Sequence, residues 1–207
     1  VRSGTTRTSV ENAVEAAKRY LLSTQASDGH WVGELEGDTI LESEYVLTMH
    51  FLGRTGEQRI RKAAEHLRRK QLPTGGWAIY EGGPAEVSSS VKAYFVLKLM
   101  GDDPNAPHMA RARETILAHG GIEACNSFTR IYLAIFGQCS WDDTPAVPPE
   151  IMLLPDNFRF FNIYKMSSWS RGIVVPLSVI WASKPFCPVP DFAAIPELHV
   201  PRTEAHV

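Results

Sequence analysis

Gln25-Ala-Ser-Asp-Gly-His-Trp31 occurs a second time in the chain as Gln71-Leu-Pro-Thr-Gly-Gly-Trp77, with glutamine, glycine and tryptophan at the same spacing. The copies lie 46 residues apart, from Gln25 to Gln71, and such a period is typical of stacked helical pairs. Each copy follows an amphipathic segment, so we predict that it turns the chain at a helix C-terminus. Gly29 and Gly75 supply the positive φ that this turn needs. We expect each indole to cover its glutamine amide while the amide bonds backbone groups at a neighbouring helix end.

Apolar residues at helical spacing predict helices along most of the chain. Their expected limits are, in order, Ser9 or Asn12 as N-cap to Thr24, Asp38–Leu52, Glu57–Lys70, Ser88–Met100, Pro107–His119, Ile122–Phe136 and Ser167–Ala182, the last kinked at Pro176. Apolar helices alternate with amphipathic ones, which indicates an inner and an outer layer. We therefore predict an all-α fold that forms part of an α/α toroid, with too few helices to close the ring.

Composition narrows the class of protein. The 207 residues are 44% hydrophobic and 21% charged, with a formal charge of −2, which makes nucleic acid an unexpected partner. Three cysteines without C-x-x-C spacing predict free thiols. No stretch reaches the roughly 18 apolar residues of a membrane span, and no motif indicates a metal or other cofactor. Prolines predict an ordered loop after Trp141, and residues 184–207 hold five more prolines and are expected to end in a polar, non-periodic tail.

Two charged residues fall on apolar helix faces. Glu44 lies in the middle of the apolar face of its helix, where a carboxylate needs a partner. It is either a structural ion-pair member or a polar group on the wall of a cavity. Lys92 repeats the pattern on the next inner helix. We predict a contact between Glu44 and Lys92, and the alternative is a lysine whose ammonium reaches solvent.

Trp169 shares a face of the last helix with Ile173, Pro176 and Ile180. An electron-rich ring in such a place can stabilise a cation through its quadrupole. The alternative is a tryptophan buried only for its area. Arg130 and Arg171 are expected to anchor loops.

The repeated motif, together with four further segments, resembles the N-terminal third of the bacterial squalene-hopene cyclases, which are class II triterpene cyclases. The segments are Glu42-Ser-Glu-Tyr-Val-Leu47, Phe128-Thr-Arg130, Val147-Pro-Pro-Glu-Ile-Met152 and Ser168-Trp-Ser-Arg171, and the likeness runs from about Val14 to Leu198. It implies cofactor-free cationic cyclisation of squalene to hopene or hopanol in hopanoid biosynthesis. It also implies attachment to the cytoplasmic face of a bacterial membrane, without spanning it, and allows a homodimer.

The same resemblance implies roles for individual residues. Glu44 matches a glutamate of a small polar pocket, holding an ordered water, that takes the final proton. Lys92 stands where well-described members have a carboxylate, and Asn126 and Tyr132 stand where they have Arg and Trp, so the charge pattern differs. The remaining implied contacts with substrate are Trp169 beside the cations and Met166 and Val174 at a channel constriction.

The domain limits expected from the resemblance are 1–36, a helix and first motif that pack on a catalytic domain outside this chain, and 37–207, the partial barrel with its proline-rich loop and tail. The acid of these cyclases is a D-x-D-D run, and none occurs in the 207 residues. The chain alone is therefore expected to be inactive. Two alternatives stay open: a non-catalytic helical lipid-binding module, and a related cyclase of oxidosqualene or another prenyl chain.

Overall fold

The computed structural model describes residues 3–32, 37–158 and 162–200, with side chains from residue 8 onward. Val1–Glu36 and Gly37–Val207 form two compact units. The α-helices are α1 Ser3–Thr24, α2 Ile40–Phe51, α3 Gln58–Lys70, α4 Val87–Leu99, α5 Pro107–Ala118, α6 Ser127–Ile135 and α7 Ser168–Ser183. Short 3-10 turns join several of them, and no strand occurs among the described residues. The all-α prediction is confirmed.

Helix α1 begins earlier than the sequence predicted. Its expected N-caps, Ser9 and Asn12, lie inside the helix, which starts at Ser3. Apolar spacing marks the face that a helix can bury, and a polar turn ahead of that face can continue the helix when no proline interrupts it. Val14 and Leu22 of this helix are more than half exposed.

The second unit is built around α4. Twelve of its thirteen residues are buried, and it packs against α2, α3 and α5. Helix α3 buries one stripe, which includes Ile60 and Leu67, and turns a strongly basic face outward. The predicted alternation of a buried helix with amphipathic neighbours is confirmed for α3, α4 and α5, because α4 is buried on nearly every side whereas α3 and α5 each bury one face.

The predicted helix Ile122–Phe136 is wrong as a single element. A 3-10 turn over Ile122–Ala124 ends at Cys125, and α6 begins only at Ser127. Asn126 separates them because its side-chain oxygen accepts a hydrogen bond from the Thr129 N–H at 2.9 Å. Asparagine favours this capping conformation over the helix interior.

The proline-rich C-terminal segment packs on the core up to residue 200, and its end, 201–207, lies outside the described residues. Ile195 and Leu198 are fully buried. The ammonium of Lys98, itself buried, donates to Glu197 Oε1 at 2.6 Å. Prolines keep the backbone extended between short 3-10 turns, so a few apolar side chains reach the core without helical periodicity.

Candidate functional site

The two copies of the repeated motif form the same turn. Gln25 and Gln71 each donate from Nε2 to the glycine carbonyl four residues later, at 2.7 Å in both. Gly29 and Gly75 have φ of 93° and 103°, as predicted. Gln71 also donates to the carbonyl of His108, in the first turn of α5, at 2.8 Å. The second copy therefore joins the end of α3 to another helix, and the position of the indoles over the amides stays a prediction.

Glu44 and Lys92 meet between α2 and α4. Lys92 Nζ donates to Glu44 Oε1 at 2.6 Å, which confirms the predicted contact. Lys92 is only 2% exposed, so the alternative of a lysine that reaches solvent is wrong. A buried ammonium is tolerated because a carboxylate lies against it.

Tyr132 of α6 completes this cluster, which we call the polar trio: Glu44, Lys92 and Tyr132. The tyrosine hydroxyl donates to Glu44 Oε2 at 3.5 Å, and Lys92 Nζ lies 5.9 Å from the centre of the tyrosine ring. Burial raises the pKa of Tyr132, and the nearby Glu44 charge raises it further. The hydroxyl therefore stays protonated and acts as a donor near neutral pH.

Tyr132 also lines an apolar cavity of about 210 Å³. Its wall comprises Leu47, Thr48, Phe51, Tyr132, Ile135, Phe136, Ile180 and Pro185. Because Tyr132 belongs both to this wall and to the polar trio, a carboxylate and an ammonium lie beside space lined by hydrocarbon. The spacing of Glu44, Leu47, Thr48 and Phe51 places them on one face of α2, which is the apolar face on which Glu44 was predicted. Ile135, Phe136 and Pro185 were not predicted at the cavity wall.

Asn126, expected in the same pocket, has a different place. Its side-chain oxygen caps α6, and its N–H donates to Ser88 Oγ at 3.0 Å. The structure does not bring it into the hydrogen bonds of the polar trio, so its contact with substrate stays a prediction. Arg130 anchors loops as expected, with Nε donating to the Cys125 carbonyl at 3.0 Å and a further bond to the Asp143 carbonyl.

Trp169 lies in the first turn of α7 and is 79% exposed. The alternative of a tryptophan buried for its area is therefore wrong. It lines a shallow depression of about 470 Å³ with Ser168, Gly172 and Ile173. Ile180, eleven residues further along α7, lies about 17 Å away by helical rise and lines the apolar cavity. Helix α7 thus contributes Trp169 to the depression near its start and Ile180 to the apolar cavity near its end.

The two remaining residues predicted to contact substrate lie near Trp169 in sequence. Met166 ends the short turn ahead of α7, and Val174 is half-buried within α7. Neither lines the apolar cavity, so a constriction between them stays a prediction.

Residues 14–207 match the squalene-hopene cyclase N-terminal domain. The chain belongs to the squalene-hopene cyclase family. It is 47% identical over 193 residues to the squalene-hopene cyclase of Zymomonas mobilis, covering 93% of this chain and 29% of that protein. The squalene-hopene cyclase of Schizosaccharomyces japonicus is also 47% identical, over 91% of this chain and 29% of its own length. The dammaradiene synthase of Dryopteris crassirhizoma is 34% identical over 92% of this chain and 28% of its own length. The chain thus spans less than a third of these relatives.

The described residues were also compared with the requirements of a metal site, a membrane span and a reactive thiol. Among residues 3–32, 37–158 and 162–200, no group of three His, Cys, Asp or Glu side chains is placed to hold a metal ion. Within the same ranges, no helix is both long and apolar enough to cross a membrane. The three cysteines are free, as predicted. Burial raises the pKa of Cys125 to about 12, so this thiol is a poor nucleophile near neutral pH.

Proposed function

We propose that this chain is the N-terminal part of a squalene-hopene cyclase-type enzyme, which converts squalene to hopene or hopanol by cofactor-free cationic polycyclisation. The observation that carries the proposal is the apolar cavity whose Tyr132 wall leads to a paired Glu44 and Lys92. A hydrocarbon substrate needs such a wall, and a cationic product needs one polar place at which to lose its proton. Family membership supports the same reading.

In this proposal the polar trio is the terminating end of the reaction cavity. Glu44, fixed between Lys92 and Tyr132, accepts the final proton directly or through a water. Asn126 completes the polar end when substrate is bound. Trp169 stabilises a passing cation through the face of its ring, and its 79% exposure leaves that face accessible. Met166 and Val174 narrow the channel by which squalene enters.

The acid that starts the cyclisation lies in a part of the enzyme outside these 207 residues, because no D-x-D-D run occurs among them. We propose that residues 1–36 pack on that catalytic part and that 37–207 form an arc of an α/α toroid. The enzyme attaches to the cytoplasmic face of a bacterial membrane from one side.

The first test is the reading frame that contains this sequence. Continuation beyond Val207 into further Q-x-x-x-G-x-W repeats and a D-x-D-D run supports the enzyme, whereas a stop codon there supports the non-catalytic lipid-binding module. The encoded protein is then incubated with squalene in detergent and its products are separated by gas chromatography. Pentacyclic products support the proposal, and unchanged squalene with a D-x-D-D run present contradicts it.

A second test addresses the polar trio. Glu44→Gln alone leaves the Lys92 ammonium buried without its counter-charge, which costs about 3 kcal/mol. The informative variant is therefore the double change Glu44→Gln with Lys92→Met, which removes both charges. We expect it to consume squalene but to change the ratio of alkene to alcohol. The matched control is Glu57→Gln, which removes the carboxylate bonded to Tyr45 at 3.0 Å and should leave the ratio unchanged.

One observation favours a second candidate, a related cyclase with another product. A protein named dammaradiene synthase is 34% identical to this chain, so likeness over this region does not fix the product. The product analysis of the first test separates the two candidates. Incubation with oxidosqualene in parallel identifies a cyclase of that substrate, which would turn over faster with oxidosqualene than with squalene.

A further inference from the structure

Two lysines of α4 are buried, and they differ in how many of their hydrogen-bond donors are used. Lys98 Nζ donates to Glu197 Oε1 at 2.6 Å and also to the Ala194 carbonyl. Lys92 Nζ donates to Glu44 Oε1 at 2.6 Å, and the described part of the chain gives it no second hydrogen bond. An ammonium has three donors. Two N–H groups of Lys92 therefore have no acceptor among the described residues, although Lys92 is only 2% exposed.

The carboxylate of Glu44 also has unused capacity. Its Oε1 accepts from the Lys92 ammonium, whereas its Oε2 accepts from the Tyr132 hydroxyl at 3.5 Å. This distance is long for a bond between two oxygens, which is usually about 2.5–3.0 Å. The Glu44 side chain is 28% exposed, so a small molecule can reach the ion pair from the Glu44 side. The pair thus offers donors and an acceptor to one small polar molecule.

Water is the molecule whose chemistry matches these unused groups. Its oxygen accepts from an N–H of Lys92, one of its O–H groups donates to Glu44 Oε2, and its second lone pair stays available. An unused donor away from bulk water is costly, so a buried ammonium favours such a partner. Tyr132, the third member of the polar trio, lines the apolar cavity. The place for this water therefore adjoins space lined by hydrocarbon.

We propose that Lys92 holds this water for attack on the product cation and thereby makes an alcohol, rather than an alkene, the main product. The inference rests on the proposed function. The water oxygen forms a C–O bond to the cationic carbon, and the proton that the resulting oxonium loses passes to the Glu44 carboxylate. No bond of the carbon skeleton breaks in this step, and no further reactant takes part.

The same lysine disfavours the competing loss of a proton from carbon. To form an alkene, a C–H bond beside the cation breaks, its electron pair forms the double bond and the proton passes to a base. As an ammonium, Lys92 has no lone pair with which to accept that proton. Direct transfer to Glu44 would bring the cation close to the ammonium bonded to that carboxylate, and like charges repel. An intervening water keeps the cation about 3 Å further away.

The test measures the products that the full-length enzyme forms from squalene in water labelled with a heavy oxygen isotope. The variant is Lys92→Met, which keeps an apolar stem and removes the donors and the charge. The matched control is Lys98→Met, which removes the same group from the same helix, at a pair that is not part of the cavity wall. Thermal unfolding checks that both variants fold. Lys92→Gln keeps two donors without the charge, and it decides the question if Lys92→Met does not fold.

We expect the parent to form more alcohol than alkene and to place the isotope in the alcohol. Lys92→Met should lower the ratio of alcohol to alkene about tenfold, and Lys92→Gln about threefold, because hydrogen bonds to charged groups are stronger than those between neutral groups. Lys98→Met should leave the ratio unchanged.

Three results would overturn the inference and leave the proposed function standing: a parent that forms mainly alkene, an unchanged ratio in the folded Lys92 variants, or an equal decrease in Lys98→Met. A parent that forms no pentacyclic product overturns the proposed function, and this inference with it.

Discussion

The two copies of the glutamine-glycine-tryptophan motif have the same internal bonds and different surroundings. In each, the indole N–H donates to a leucine carbonyl ten residues earlier, Leu21 for Trp31 at 2.7 Å and Leu67 for Trp77 at 2.8 Å. Trp31 is 50% exposed, whereas Trp77 is fully buried. The motif therefore fixes the turn by local bonds alone, and burial depends on what packs against it.

The residues between the shared glutamine, glycine and tryptophan differ between the two copies in a way that matches this difference in burial. The position before tryptophan is His30 in the first copy and Gly76 in the second. A Cβ on Gly76 would lie 2.6 Å from the Ala85 Cβ, so only glycine fits there. His30 is exposed and lies against Asp28. A second glycine thus marks the copy with other parts of the chain packed closely against it.

The largest difference is expected when each tryptophan is replaced by alanine. Trp77→Ala leaves a void in the core and an unpaired Leu67 carbonyl, and should cost about 4 kcal/mol of the free energy of unfolding. Trp31→Ala should cost about 1 kcal/mol, because half of that side chain is already in water. Guanidinium unfolding followed by circular dichroism measures the first, and amide exchange in α1 the second. Trp169→Ala, at an exposed position, is the control with no loss. Equal costs at the two motif positions would contradict the comparison.

The next effect concerns the glycines. A Cβ on Gly75 would lie 2.8 Å from the Arg111 Cβ and closer still to its carbonyl, so Gly75→Ala combines backbone strain with a clash against α5. We expect the free energy of unfolding to decrease by about 3 kcal/mol. Gly29→Ala meets only the Gln25 amide, at 3.8 Å, and should cost about 1 kcal/mol from positive φ. Guanidinium unfolding measures the effect of Gly75→Ala, and amide exchange in α1 measures that of Gly29→Ala. Equal losses of stabilising free energy in the two variants would show that the positive φ alone sets the cost.

The turn and most helices were predictable from sequence because they depend on local signals. Glycine spacing gives the positive φ, and apolar periodicity gives α3, α4 and α5. The contact of Glu44 with Lys92 was also predictable, because a charge on each of two inner apolar faces has few alternatives to pairing.

Other features depend on tertiary contacts that have no periodic signal. Ile195 and Leu198 enter the core from an extended, proline-rich segment that has no helical periodicity. Asn126 begins α6 through its capping bond, and the apolar spacing on either side of it gave no sign of this break. The exposure of Trp169 could not be predicted from sequence either. Helical spacing places this residue on an apolar face, but it does not show whether another element covers that face.

A smaller effect is expected at the glutamines. Gln71→Glu removes two amide donations, to Gly75 and to His108, and places a carboxylate against two carbonyls. The expected loss is about 2 kcal/mol. Gln25→Glu removes one donation at an exposed site and should cost less than about 1 kcal/mol. Gln58→Glu, exposed at the start of α3, controls for the added charge. Denaturant midpoints that shift equally for Gln71→Glu and Gln25→Glu would show that the bond to His108 contributes nothing.

The smallest effect is the response of the second copy to acid. Asp102 lies beside this copy, since His108, whose carbonyl binds Gln71, also places Nε2 2.8 Å from Asp102 Oδ2. Burial opposes the charge of Asp102, but hydrogen bonds with Arg68 and His108 outweigh it and lower its pKa. A lowered carboxyl pKa adds stability that is present above the unfolded value near 4 and is lost as pH falls through the folded value. Amide protection in α5 should therefore decrease on acidification below about pH 4.

Asp102→Asn should lower amide protection in α5 at neutral pH and flatten its pH dependence, because the change removes the titrating group. An unchanged slope in that variant would assign the acid sensitivity to other carboxylates, such as Glu197.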